Sequence, residues 1–393
     1  MTARGGEEVR RRNLGAVLRE VHLGGPVSRS VLAGRLDLNR STIMALTAEL
    51  TAAGLVTEDA PADTGRAGRP SLVVSPASRR CYVLAFDVAV DRLVAARVGL
   101  GGVVLARREA VRPRTGVDLG DVVGVLARFG RDLLDPDATC VGIGASYCGM
   151  VRRADGMVRY GPHLGWQDQA FGPALAAGLG LALPVEVGNE AHLGAVAEHL
   201  RGAGVGHRNL VYLHGDVGVG GGIIVGGRLL DGDGGYGCEV GHMLVNPFDG
   251  RPCLCGSRGC LEAEVGEQAL LEHAGRAGEL VGRAGVGAVV ALADGGDPAA
   301  REALDRIGDW LGVGVVNLIN LFNPGLVVFG GVLRDLYRGT AEPVRRRIDR
   351  HVLPVSRERV RLATSALADD ATLAGAAELA FAALLEDPMT AVR

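Results

Sequence analysis

Hydrophobic periodicity changes character near residue 80, which limits this chain to a small helical head joined to a much larger mixed α/β body. In the head, Leu14, Val17, Leu18 and Val21 recur at helical spacing, and Gly24-Gly25-Pro26 stops that helix. Ser28 is placed to cap a second helix running to about Leu36, with Val27, Val31, Leu32 and Leu36 on its buried side. After the turn Asp37-Leu38-Asn39, either Asn39 or Ser41 can cap a third helix, STIMALTAELTAAG, which Gly54 closes. These three short helices are followed by a hairpin: the strand Leu55-Val56-Thr57-Glu58, a polar tip DTGRAGRPS, and the strand Leu72-Val73-Val74. From Cys81 onward strands and helices alternate. YVLAFDVAVDRLVAARVGLGGVVLARREAV gives two or three strands turning at Asp91 and Gly101-Gly102, with a helix from about Asp118 to Leu134. LPVEVGNEAHLGAVAEHL is a strand running into a helix, and NLVYLHGDVGVGGGIIVGGRLL is a hairpin with a glycine-dense corner. Such an order, met twice, predicts a two-lobed α/β body with a cleft between the lobes.

Two helices joined by a tight turn form a helix-turn-helix, whose second helix enters the DNA major groove with its first residues at base edges. That helix would present Asn39, Arg40, Ser41 and Thr42, side chains suited to bases and phosphates. Ser28 and Arg29 open the preceding helix, and a wing tipped with Arg66 and Arg69 suits a phosphate backbone or minor groove. Charge agrees: residues 1–80 hold twelve Arg against eight Asp and Glu, whereas the whole chain carries −3. A basic end on an acidic body points to double-stranded DNA as the partner of that end alone. All basic residues are arginines, which with the abundant Gly and Ala reflects nucleotide composition more than function. No long apolar run suggests a membrane span, and MTARGGEEVRRRN has no targeting character, so a cytoplasmic location is expected.

A second cluster lies in GHMLVNPFDGRPCLCGSRGCLEAE, where His242, Cys253, Cys255 and Cys260 follow the spacing His-x10-Cys-x-Cys-x4-Cys. One imidazole and three thiolates fill a closed tetrahedral shell around zinc, leaving no open position, so the ion would be structural. Cys253 and Cys255 are too close for an easy disulfide. Cys81, Cys140 and Cys148 are read as small core residues. Glu239 and Glu262 flank the cluster, and a zinc knot would fix both carboxylates in space.

These residues resemble the ROK family, named for repressors, open reading frames and kinases. The resemblance rests on EVGH at Glu239 to His242, CLCGSRGCLE at Cys253 to Glu262, the glycine-rich hairpin before them, and INLFNPGLVVFGGVL at Ile319 to Leu333. It implies an N-terminal winged helix-turn-helix followed by a two-lobed actin-like (ribonuclease H-like) sugar-kinase fold. The expected divisions are a DNA-binding domain at 1–80, a first lobe at 81–190 with a C-terminal helix at 371–388 packing back on it, and a second lobe with the zinc loop at 191–370. It also implies hexose-type ligands held by Asn189, Glu190, Glu239, His242 and Glu262; His163 stands where an asparagine is more usual.

The nucleotide parts depart from the family's pattern. Its kinases open the body with a glycine-lined phosphate turn, but Asp87-Val88-Ala89-Val90-Asp91 puts β-carbons there and lacks the hydroxyl residue. Glu190 replaces the family's catalytic aspartate, displacing the carboxylate by about one methylene, which near-attack geometry tolerates poorly. The expectation is a non-catalytic, sugar-responsive repressor acting on a palindromic operator as a homodimer or homotetramer. Its rival is an ATP-dependent sugar kinase with Glu190 as base and Gly215 to Gly222 around the phosphates. A regulator that has lost its sugar and senses only a protein partner is the third reading.

Overall fold

The computed structural model describes residues 3–60, 71–114, 116–278 and 281–390. Its first part contains α1 (Ala3–Gly24), β1 (Val27–Ser28), α2 (Arg29–Leu36), α3 (Arg40–Ala52), β2 (Val56–Asp59) and β3 (Val73–Pro76). The Ser28 hydroxyl accepts from the Val31 N–H to start α2, and Asp37 ends it in the left-handed region at φ 52°. Asn39, not Ser41, caps α3, accepting from the Thr42 N–H. Two sequence expectations need correction. The first helix is long, because the Glu- and Arg-rich start favours helix and Arg10 pairs with Glu49 of α3, Nε to Oε2 at 3.0 Å. The small sheet has three strands in the order β1-β3-β2, since Val27 and Ser28 pair with β3. Arg66 and Arg69 lie outside the described residues.

The body holds two five-stranded sheets. The first draws on β4 (Cys81–Val88), β5 (Arg92–Gly99), β6 (Val103–Val111), β7 (Thr139–Tyr147) and β11 (Val185–Asn189), in the order β11-β7-β4-β5-β6. Helices α4 (Leu119–Leu133), α5 (Phe171–Leu179) and α6 (Glu190–Arg201), and the small sheet β8 (Met150–Arg152), β9 (Met157–Gly161) and β10 (Trp166–Gln169), belong to this part of the chain. The second sheet draws on β12 (Leu210–Gly215), β13 (Val219–Val225), β14 (Arg228–Leu229), β15 (Leu326–Gly331) and β16 (Arg361–Thr364), in the order β14-β13-β12-β15-β16. Between β14 and β15 come α7 (Leu261–Val265), α8 (Glu267–His273), α9 (Gly282–Asp294) and the long α10 (Pro298–Phe322), which starts with the Asp297 cap and Pro298 and ends at Asn323 in the left-handed region. Helix α11 (Val332–His351), α12 (Pro354–Arg357) and α13 (Ala371–Glu386) complete the chain. Each sheet runs antiparallel at one side and parallel at the other, as a strand-helix alternation with leading hairpins requires.

Head and body share one core. Leu14, Val17, Leu18 and Val21 of α1 are buried in the same cluster as Val83 and Ala85 of the first sheet and Phe381, Leu384 and Leu385 of α13. At about 1.5–3 kcal/mol for each fully buried aliphatic or aromatic side chain, this contact is too large for a loose tether. The head is seated on α13, so residue 80 marks a change of pattern more than a flexible joint. Cys81 and Cys148 are buried, whereas Cys140 is only half-buried.

Candidate functional site

Glu190, Glu239 and Glu262 are electrostatic neighbours, since Glu190 and Glu239 each feel the Glu262 charge. Glu190 opens α6, Glu239 precedes a single helical turn at Val240–His242, and Glu262 sits in α7. Glu262 is the most tightly held: Oε2 accepts from the Val219 N–H at 3.0 Å and lies 3.6 Å from the His163 Nε2. A β-carbon at Gly218 would displace that same carboxylate oxygen and the His163 Nε2. Burial opposes the charge of Glu262, yet the His163 imidazole and the Val219 amide outweigh it and keep the carboxyl below its ordinary range. Glu239 goes the other way: burial first, then the Glu262 charge, push its carboxyl up to about 7. Glu190 is pushed well up by burial and then by Asp216 and Asp87, with Arg92 opposing. The site therefore holds one firmly ionised carboxylate beside two that readily carry a proton, a mixture of acceptors and donors that fits adjacent hydroxyls. His163, singled out only as a departure from the family pattern, lines a cavity of about 740 Å3 together with Glu262, Arg114, Arg251 and Glu267.

Asn189 is engaged within the chain. Its Oδ1 caps α6 by accepting from the Ala191 and His192 N–H groups, and its Nδ2 donates to the Gly149 carbonyl at 3.0 Å. These contacts orient Glu190 at the head of the helix.

His242, Cys253, Cys255 and Cys260 do converge, with their ligand atoms all within 4.8 Å of one another. Cys255 Sγ is 3.7 Å from Cys260 Sγ, and Cys253 Sγ is 3.7 Å from the His242 Nδ1. Four ligands about 2.0–2.3 Å from a tetrahedral zinc stand roughly 3.5–3.8 Å apart, so the set fits that ion. The Nδ1 faces the thiols, and Cys253 Sγ lies 3.6 Å from the Glu262 Oε1. Cluster and carboxylate are thus one unit.

The far end of the cleft is closed. Val88, Ala89 and Val90 are buried, and the Ala89 N–H donates to the Arg92 carbonyl at 3.2 Å, so that amide is already satisfied. In the second turn the Asp216 N–H donates to the Gly218 carbonyl at 2.9 Å, and the Val219 N–H is held by Glu262. Between the turns lies a cavity of about 110 Å3 lined by Asp91, Arg92, His214, Asp216, Arg283 and Asp369. Arg283 bonds Asp335 at 2.9 Å, Asp369, and the Gly331 carbonyl at 3.1 Å. Burial, then the Asp91 charge, push Asp216 up to about 6.

In the head, Arg40 and Ser41 are exposed at the start of α3 and Thr42 is half-exposed. Arg40 has no charged partner among the described residues. Met44, which sequence reasoning passed over as apolar, is 54% exposed one turn further along the same face. Ser28 and Asn39 are engaged as caps. Arg29 is not available to a base as placed: its Nε donates to the Glu58 Oε1 at 2.6 Å in a half-buried pair that fastens α2 to the small sheet.

Comparison with known proteins agrees with this architecture. Residues 83–383 match the ROK family model. The xylose repressor of Bacillus spizizenii is 26% identical over 371 residues, covering 93% of this chain and 94% of that protein. The glucokinase of Streptomyces coelicolor is 31% identical over 315 residues, covering 75% of this chain and 96% of its own. Among solved structures, a ROK family transcriptional regulator described as a homologue of the E. coli Mlc protein superposes with a TM-score of 0.81 at 27% identity, covering 98% of this chain and 99% of that one.

Proposed function

Given that the chain belongs to the ROK family, we propose that it is a sugar-responsive transcriptional repressor that binds operator DNA through its N-terminal winged helix-turn-helix. One observation carries this reading: the repressor and regulator matches extend over 93% and 98% of the chain and so take in the head, whereas the glucokinase match covers 75%. The division we adopt is a DNA-binding domain at 1–80, a first lobe at 81–190 joined by the C-terminal helix at 371–388, and a second lobe at 191–370. In the head, Arg40, Ser41 and Thr42 read bases, with Met44 suited to a thymine methyl. Asn39, Ser28 and Arg29 hold the reading helix in place, and Arg66 and Arg69 of the wing contact phosphates.

In the body, Glu190, Glu239 and Glu262, joined by His163, hold the sugar hydroxyls, and Asn189 orients Glu190. His242, Cys253, Cys255 and Cys260 hold zinc in a closed shell, and the ion supplies rigidity, fixing Glu262 and Glu239 relative to each other. For sugar to alter DNA binding, it must bind two arrangements of the lobes with different affinity. As a homodimer or homotetramer the protein would engage half-sites about one helical turn, roughly 34 Å, apart.

The kinase reading has the 31% identical glucokinase in its favour. Against it stand the satisfied Ala89 amide and a cavity of about 110 Å3 where a phosphate chain would have to lie. Ligand sites are commonly about 300–1,000 Å3. Selection of duplexes from a random pool by the full chain, repeated with D-xylose or D-glucose, tests the proposal. A palindromic consensus whose binding shifts with one of these sugars is the expected result. Failure to enrich any duplex under all conditions would contradict it.

A further inference from the structure

Helix α6 touches every part of the molecule that a sensor must connect. Its N-terminus carries Asn189 and Glu190 at the candidate sugar site. Midway, the buried Glu198 accepts from the Ser365 hydroxyl at 2.5 Å and the Leu367 N–H at 2.9 Å, which fastens the helix to the segment after β16 of the second sheet. Its last residue, Arg201, reaches the head. The helix spans 12 residues, about 18 Å at 1.5 Å per residue.

At the Arg201 end is a buried polar latch joining four elements. Arg201 Nε donates to the Glu378 Oε1 of α13 at 2.5 Å, and its Nη1 donates to the Gly101 carbonyl at 3.1 Å and to the His22 carbonyl at 3.3 Å. His22, in the last turn of α1 and fully buried, takes the Gly101 N–H on Nδ1 at 2.9 Å. Its Nε2 lies 3.2 Å from both oxygens of the Glu378 carboxylate. Arg201 Nη2 lies 2.6 Å from the same Nε2, so His22, Arg201 and Glu378 form one hydrogen-bonded cluster. Burial acts against the Glu378 charge, but His22 and Arg201 more than compensate and keep the carboxyl below its ordinary range. Opposite the latch, α6 and α13 are in backbone contact: a β-carbon at Gly375 would collide with the Leu193 carbonyl oxygen. Beside it, a cavity of about 230 Å3 lined by Arg19, Leu193, Val196, Leu200, Leu379 and Leu385 gives the junction of α1, α6 and α13 room to repack.

We infer that α6 is the shaft coupling the sugar site to the reading head, with Arg201 as the positioning residue that transmits its movement to His22 across the shared Glu378 carboxylate. This inference rests on the sugar-responsive reading. A ligand drawing Glu190 toward Glu239 and Glu262 shifts α6 along its axis, and the latch converts that shift into a change in the seating of α1.

Hydrogen–deuterium exchange on the full chain, with and without saturating D-xylose or D-glucose, tests it in wild type, Arg201→Met and the near-isosteric Glu378→Gln. In wild type, sugar should alter exchange both in the site segments (189–192 and 239–262) and in the head (14–52). Both variants should keep the site response while losing the head response. In parallel, the effect of sugar on affinity for a duplex selected by the wild type should fall from about 5–150-fold, the usual span of a coupling, to under about twofold. Sugar affinity itself should stay unchanged. A head response that survives in Glu378→Gln, or a wild-type head that ignores sugar while its site responds, overturns the coupling role and leaves sugar binding standing. Silence at the site with both sugars overturns the sugar reading instead, and the shaft with it. Should Arg201→Met fail to fold, Glu378→Gln decides alone.

Discussion

The two ends of the cleft have fared differently. At the metal-cluster end, Glu262, His163 and Cys253 line about 740 Å3 of space, with Glu262 fixed by the Val219 amide. At the other end, a turn that would cradle phosphates has its Ala89 amide bonded to Arg92, and arginine–aspartate pairs leave about 110 Å3. On the proposed reading, the contrast separates recognition from transfer on this fold. A carboxylate site works at equilibrium with modest precision, whereas phosphoryl transfer needs free amides and an aligned base.

Breaking the recognition end should give the largest effect. Removing metal with a chelator, or making Cys253→Ser with Cys260→Ser, should abolish saturable sugar binding in calorimetry, and exchange protection across 239–262 should collapse while 14–52 stays protected. Unchanged sugar affinity after metal loss would separate the knot from the site. Next comes Glu262→Ala, which deletes a charged hydrogen-bonding group. Its loss should cost about 1.5–3 kcal/mol of sugar binding, or roughly tenfold or more in Kd, with DNA binding intact.

Changes at the closed end should touch stability and not recognition. Arg283→Met removes the pairs to Asp335 and Asp369 and the bond to the Gly331 carbonyl, and should lower stability by about 1 kcal/mol after allowing for its partial exposure, without creating ADP release. The smallest effect concerns pH. The Asp216 carboxyl is raised from 3.8 to about 6 in the folded chain, so the folded state keeps a proton that the unfolded state gives up. Stability should therefore fall as pH rises from about 4 to 6 and stay lower above that window. Asp216→Asn should flatten this slope and leave the protein more stable at pH 7 by an amount on the order of 1 kcal/mol, readable as a melting-temperature series.

Local features were legible in the sequence because short-range chemistry specifies them. The caps Ser28 and Asn39, the hairpin at Gly101-Gly102, the strand into α6 and the His242–Cys260 cluster all follow from spacing within a few turns. The opening helix was underestimated, because its polar start lacks the apolar stripe that marks a helix. The larger misses were long-range. Arg201 and His22 lie 179 positions apart, and Arg201 and Glu378 lie 177 apart, so each reads as an ordinary charged residue on an amphipathic helix. Arg29 reads as a free cation in the sequence for the same reason, since its partner Glu58 sits across the head. Buried charge pairs announce themselves only when folding brings both members together.

The separation of recognition from transfer is tested most directly by titrating the full, metal-loaded chain with D-xylose, D-glucose and a non-hydrolysable ATP analogue in one calorimetric series, followed by an ADP-release assay. The account predicts saturable heat with a sugar, none with the nucleotide up to millimolar concentration, and ADP release at background with or without sugar. Saturable nucleotide binding with sugar-dependent ADP release that disappears in Glu190→Gln would contradict it.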